Sequence, residues 1–224
     1  MHHTRVWDLP TRLFHWALVF CLLGLYLSAN LGGNWMNWHL RLGYTMLTLL
    51  LFRLLWGVFG GHWSRFSSFL FAPADLWAYL RDRAKPEHHV GHNPLGALSV
   101  FALLTLLLLQ VGTGLISDDD IAFFGPLVSF VSAETVNQAT AYHKRVGKVL
   151  LLVLVALHLL AIAYHHVVKK ERLLQAMISG DKRLPEPAAA SRDTLRTRLA
   201  ALALLGLCAL AVYALVGLAG PSAF

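Results

Sequence analysis

A histidine inside an apolar helix needs a partner, and four of the chain's twelve histidines lie in or at the edge of long apolar runs: His15, His39, His143 and His158. An imidazole in such a place can hydrogen-bond across helices, carry a proton or ligate a metal. Spacing helps to decide. Helical residues from His143 to His158 rise roughly 22 Å and complete four turns plus about 60°, so the two rings share one face at two depths.

Five apolar runs must position these side chains: Arg12 to Leu31, His39 to Phe59, Leu95 to Ile116, Tyr142 to Tyr164 and Leu199 to Ala219. Each approaches the roughly 20 residues needed to cross a hydrocarbon core. Backbone amides have no partner in lipid, so each run is expected as a helix. The loops at 30–38 and 117–141 lack Lys and Arg, and the second carries Asp118, Asp119, Asp120 and Glu134. The loop at 60–93 carries Arg65, Arg81, Arg83 and Lys85, and the segment 165–198 is richer still in Lys and Arg. Basic loops stay inside, which predicts a cytoplasmic N-terminus and a C-terminus on the outer side.

Under that topology His39 and His143 lie near the outer face, and His15 and His158 near the inner face. Each pair comes from different helices. Imidazole suits iron, and a flat porphyrin supplies apolar surface between facing helices, so the pattern predicts two stacked haems rather than bare ions. Cys-x-x-Cys-His is absent, which points to haem b rather than haem c. Arg12, Arg41, Lys144, Arg145 and Lys148 lie within a turn or two of these ligands and are candidates to neutralise propionates. Gly43 and Gly147, each four residues beyond an outer ligand, are candidates to leave room for the ring. His165 is the substitute for His158, while His88, His89 and His92 are expected in a solvated loop, with a surface metal site as the sharper reading.

Composition limits the alternatives. The 224 residues are 57% hydrophobic and only 14% charged, with mean hydropathy +0.57, too apolar for an ordinary soluble domain. The net charge of +7 is spread between apolar runs, so nucleic acid is not expected as a partner. Cys21 and Cys208 lie in apolar runs as packing residues. A haem-free metal-ion transporter is the rival from another class, but no span interior carries Asp or Glu.

The phrases Val6-Trp7-Asp8-Leu9-Pro10-Thr11-Arg12-Leu13-Phe14-His15-Trp16 and Gly91-His92-Asn93-Pro94-Leu95-Gly96-Ala97-Leu98-Ser99, with the His143 to His158 helix, resemble bacterial cytochrome b561, in the branch that includes membrane subunits of nickel-iron hydrogenases. The resemblance runs from about Val6 to Val168. It implies a four-helix core with two bis-histidine haems, His15, His39, His143 and His158 matching the ligand positions. It also implies electron relay between a membrane quinone and an outer-face redox partner, a c-type cytochrome or a hydrogenase. The expected fold is therefore an all-α transmembrane four-helix di-haem bundle at 1–180, a cytoplasmic linker at 181–197 and an additional transmembrane helix at 198–224. The partners expected are membrane lipid, quinone, that redox protein and a second copy of the chain.

Overall fold

The computed structural model describes residues 2–81, 83, 88 and 90–218. In chain order its elements are β1 (His2–Arg5), α1 (Leu9–Leu31), α2 (Trp35–Phe59), α3 (Pro73–Leu80), α4 (Pro94–Leu115), α5 (Ala133–Ala141), α6 (Lys148–Val167), α7 (Leu173–Ser179), β2 (Asp181–Leu184) and α8 (Leu195–Gly217). A π-helical turn, Tyr142–Gly147, fuses α5 to α6, so Ala133–Val167 is one continuous span. With α1, α2, α4 and α8 it makes five helices long and apolar enough to cross a membrane. The chain is a multi-pass membrane protein of the all-α class, as expected. All five helices open before the expected starts, at Leu9, Trp35, Pro94, Ala133 and Leu195, with the largest difference in the fourth, which α5 extends. Helical backbone continues through polar residues beyond the apolar run that a hydropathy reading detects. Lys85, His89 and Ala219 lie outside the described residues.

The contacts divide the chain into two compact units, and every span is shared between them. One unit is Met1–Phe14, Arg53–Leu103 and Ala156–Leu202. Here β1 pairs antiparallel with β2, His2 opposite Leu184 and Arg5 opposite Asp181. Arg5 donates to Asp181 Oδ1 at 2.6 Å and to Asp193 Oδ2 at 2.8 Å. Ser191, 5% exposed, donates its amide to Arg5 O and its hydroxyl to Val6 O, both at 2.7 Å. The proline-rich stretch expected as a linker is thus strapped to the N-terminal segment. Val6, Trp7, Val90, Ala176 and Leu184 form the apolar cluster beneath it.

The centre of this unit is Asp8, wholly buried. Oδ1 accepts the Thr11 amide at 2.9 Å, which caps the first turn of α1. Oδ2 accepts the Gly61 amide and the Ser64 hydroxyl, both at 3.0 Å, and Trp56 Nε1 donates from 3.3 Å. A buried carboxylate is tolerable only when so many donors surround it. Asp8 thereby binds the start of α1 to the end of α2 and the loop beyond.

The other unit is His15–Phe52, Leu104–Val155 and Ala203–Phe224. Cys21, Gly24 and Ser28 give α1 a stripe of small residues against α2. A Cβ on Gly24 would lie 2.7 Å from Leu42 Cδ1, and Cys21 Sγ reaches Leu42 O at 3.1 Å. Small residues permit this close approach where lipid gives no hydrophobic drive to helix pairing. Cys21 and Cys208 are buried and unpaired, packing residues as expected. In the same unit α8 flanks α2 across a cleft of about 390 Å³ lined by Tyr44, Thr48, Leu49, Leu205, Val212 and Tyr213.

Candidate functional site

Two of the four sequence-selected histidines face each other within one unit. The rings of His39 and His143 have centroids 6.2 Å apart and stand perpendicular, at 90°. Their environments match in chemistry. His39 Nδ1 lies 3.0 Å from Leu25 O, with Ser28 Oγ at 3.4 Å. His143 Nδ1 lies 2.8 Å from Gln110 O. Only a protonated Nδ1 bonds to a carbonyl, so both rings hold the tautomer whose Nε2 keeps its lone pair. That is the state of a histidine oriented to bind a metal, with an outer hydrogen bond fixing the ring.

The separation tests the fit of a metal between them. Two metal–imidazole bonds of about 2 Å, with about 1 Å from each nitrogen to its ring centre, place trans imidazoles about 6 Å apart, centre to centre. The observed 6.2 Å agrees. Among the described residues no group of three His, Cys, Asp or Glu could hold a bare ion. Two imidazoles with no further protein ligand suit a metal whose other positions are filled by a macrocycle. Gly43, one turn beyond His39, would meet nothing within 4 Å if it carried a Cβ, so the ligand's own face is open there.

Local sequence explains how His143 is presented. It sits in the π-helical turn, which breaks the regular hydrogen-bond ladder and frees a carbonyl. Gln110 on α4 takes up that carbonyl, its Nε2 donating to His143 O at 2.9 Å, while Gln110 O accepts from the ring. Gly114 lies one turn further along α4, and a Cβ there would stand 2.8 Å from His143 Cε1. The expectation for Gly147 is corrected. Its missing side chain makes room for Gln110 and Tyr142, not for a bound ring.

The remaining expected residues divide between the units. His15 stands edge-on to Trp16 at 5.2 Å in the unit that contains His39 and His143. His158 is half-buried in the other unit, and its substitute His165 pairs with Glu171 at 3.1 Å. Arg41 lies over Trp38, Arg12 donates to Ile178 O at 2.6 Å, and Lys144 and Arg145 are exposed. Lys148 reaches Asn30 Oδ1 at 3.4 Å.

The expectation of a solvated histidine loop is overturned for His88 and His92. His88 is 2% exposed against Phe71, and the His92 ring packs against Trp7 at 4.6 Å and Phe69 at 4.4 Å. The aromatic partners Trp7, Phe69 and Phe71 lie far away in sequence, so loop position concealed this packing. Gln110 and Arg53, both polar residues inside spans, were also missed. Their isolation within apolar runs was the available sign.

Transmembrane helices that bring opposed, tautomer-fixed imidazoles together define the class of membrane cytochromes that hold haem non-covalently. Residues 6 to 180 match the family model described as prokaryotic cytochrome b561, and the chain belongs to that family. It is a membrane b-type cytochrome of electron transport with haem b as cofactor. Similar proteins carry the name "probable Ni/Fe-hydrogenase B-type cytochrome subunit". That of Bradyrhizobium diazoefficiens is 23% identical, covering 79% of this chain and 85% of the relative. Those of Azotobacter chroococcum and Cupriavidus necator are 25% and 24% identical, covering 78% and 79% of this chain and 86% of each relative. No solved structure matches the chain.

Proposed function

We propose that the chain holds two haems b, an outer one between His39 and His143 and an inner one between His15 and His158, and relays electrons across the cytoplasmic membrane between quinone and an outer-face redox protein. The observation that carries this reading is the His39–His143 geometry, 6.2 Å and perpendicular with both Nδ1 atoms committed to carbonyls. The inner pair rests on the fifteen-residue interval from His143 to His158 and on the placement of His15 near the start of α1. Within the family reading, residues 1–180 form the haem-carrying core and the last helix is an addition. The basic loops support a cytoplasmic N-terminus and a periplasmic C-terminus.

Bound haem supplies one-electron exchange at iron. The chain's own residues hold the rings still. Leu25 O and Gln110 O accept from the imidazoles and raise the basicity of Nε2, and Ser28 reinforces His39. Arg41, Lys144 and Arg145 remain the proposed propionate partners on the outer side and Arg12 on the inner side. The paired histidines would hold each iron from both sides and leave no position for substrate, so the chain would govern potential rather than bond chemistry.

For the outer partner we propose a c-type cytochrome or similar redox protein. The names of the relatives favour a second reading, in which the chain anchors a nickel-iron hydrogenase and takes its electrons. Solubilised native membranes separate the two: co-purification with hydrogenase subunits supports the second, co-purification with a haem c protein the first. For the site itself, the full chain should bind two low-spin haems, and His39→Ala or His143→Ala should each remove one. A colourless preparation would refute the haem reading altogether.

A further inference from the structure

The span α2 carries one charge deep in its interior, Arg53, only 3% exposed. Its guanidinium lies 4.6 Å from the centre of the Phe66 ring, and its Nη1 has no hydrogen-bond partner among the described residues. One acid of the same unit is already in use: Asp8 is wholly buried, but its oxygens are taken by Thr11, Trp56, Gly61 and Ser64. His92 lies in the same unit, its Nδ1 also buried and without a partner among the described residues. Burial, then the charges of Arg53, Lys182 and His158, push His92 down to about 3, so it is neutral under ordinary conditions. Lys182 donates to Val90 O at 3.2 Å, with Glu171 as the nearby acid. Arg53, His92, Lys182 and His158 all belong to one unit.

Two unsatisfied buried nitrogens, one of them a full positive charge, are costly unless an acceptor arrives. A carboxylate meets both needs, because guanidinium pairs with it through two parallel hydrogen bonds. Position along the span identifies which carboxylate. Arg53 follows His39 by fourteen residues, a descent of about 21 Å along α2 and within about 40° of the same face. His158 follows His143 by fifteen. Arg53 is therefore at the depth of the inner ligand.

We propose that Arg53 and His92 form a carboxylate-binding pair for the propionates of the inner haem, an assignment that rests on the di-haem reading above. The shared chemistry is a carboxylate or phosphate oxygen; haem propionate is the source, and an anionic lipid headgroup is the competing outcome.

The test compares haem b with its dimethyl ester, which keeps the ring and iron and removes both carboxylates. Full-length apo-protein carrying His39→Ala, which leaves only the inner site, is reconstituted with each, and retention is read from the Soret band. The acid form should be retained on the order of tenfold better than the ester. Adding Arg53→Gln should remove most of that preference, leaving what Arg12 and His92 supply, His92→Asn should reduce it, and Arg53→Lys should restore part of what Arg53→Gln removes. Equal retention of acid and ester before Arg53 is changed overturns the inference without any Arg53 variant. A preference that survives Arg53→Gln undiminished also overturns it, and loss of bound anionic lipid in that variant would then assign Arg53 to lipid. Failure of the His39→Ala chain to hold any haem is a different result, which defeats the di-haem reading itself.

Discussion

Asp8 and the His39–His143 pair are both polar centres inside an apolar protein, and they are satisfied in opposite ways. Every oxygen of Asp8 is engaged by backbone amides, a hydroxyl and an indole of the chain itself. Among the described residues each outer histidine is engaged at Nδ1 alone. A buried group that the chain saturates is a brace, whereas one that the chain orients and leaves half-satisfied awaits a ligand. Arg53 falls on the second side of that division, which is why its unmatched nitrogen is informative.

Substitutions should separate the two kinds of centre. The largest effect is expected at the ligands: His39→Ala or His143→Ala should remove the outer haem completely, read as loss of half the Soret absorbance per chain, with the fold retained in circular dichroism. Asp8→Ala should do the reverse. It orphans four buried donors, costing about 3–5 kcal/mol in a detergent melt, while protein that remains folded keeps the outer haem's spectrum.

Smaller changes sharpen the contrast. Gln110→Leu should cost about 1–2 kcal/mol by leaving the His143 carbonyl unpaired in its π-helical turn, and it should also move the outer haem's midpoint potential, which Asp8→Ala should not. Gly114→Ala pushes a methyl against His143 Cε1 and should raise the rate of outer haem loss severalfold, measured by transfer to apomyoglobin. The smallest effect is in the strap. Hydrogen bonding from Arg198, with further help from the Leu9 amide and Arg5, holds the Asp193 carboxyl below its ordinary range. Its contribution is thus present above the ordinary carboxylate range and lost as pH falls through the lowered value. Acidification should therefore expose the segment around Ser191 to protease, and Asp193→Asn should expose it already at neutral pH.

Much of this was legible beforehand because lipid imposes strict rules. Five spans follow from apolar runs of membrane length, and four histidines stand out because an imidazole in such a run needs a reason. What escaped depends on local geometry that periodicity does not encode. The π-helical turn around His143 leaves no mark in the apolar pattern, and Gln110 gains meaning only once a displaced carbonyl is seen beside it. His92 was placed in a loop, but Trp7 and Phe69, distant in sequence, close over it. The Leu184 to Ser191 stretch has the composition of a flexible connection, yet its backbone is tied to Arg5 and Val6.

The most direct test of the central claim is haem stoichiometry across a double-mutant cycle of His39→Ala and His143→Ala, measured as pyridine haemochromogen per chain. Two haems in the parent, and one in each single and in the double variant, is the result expected if both imidazoles grip the same iron. One haem in the parent, or a double variant that loses more than either single, would contradict it.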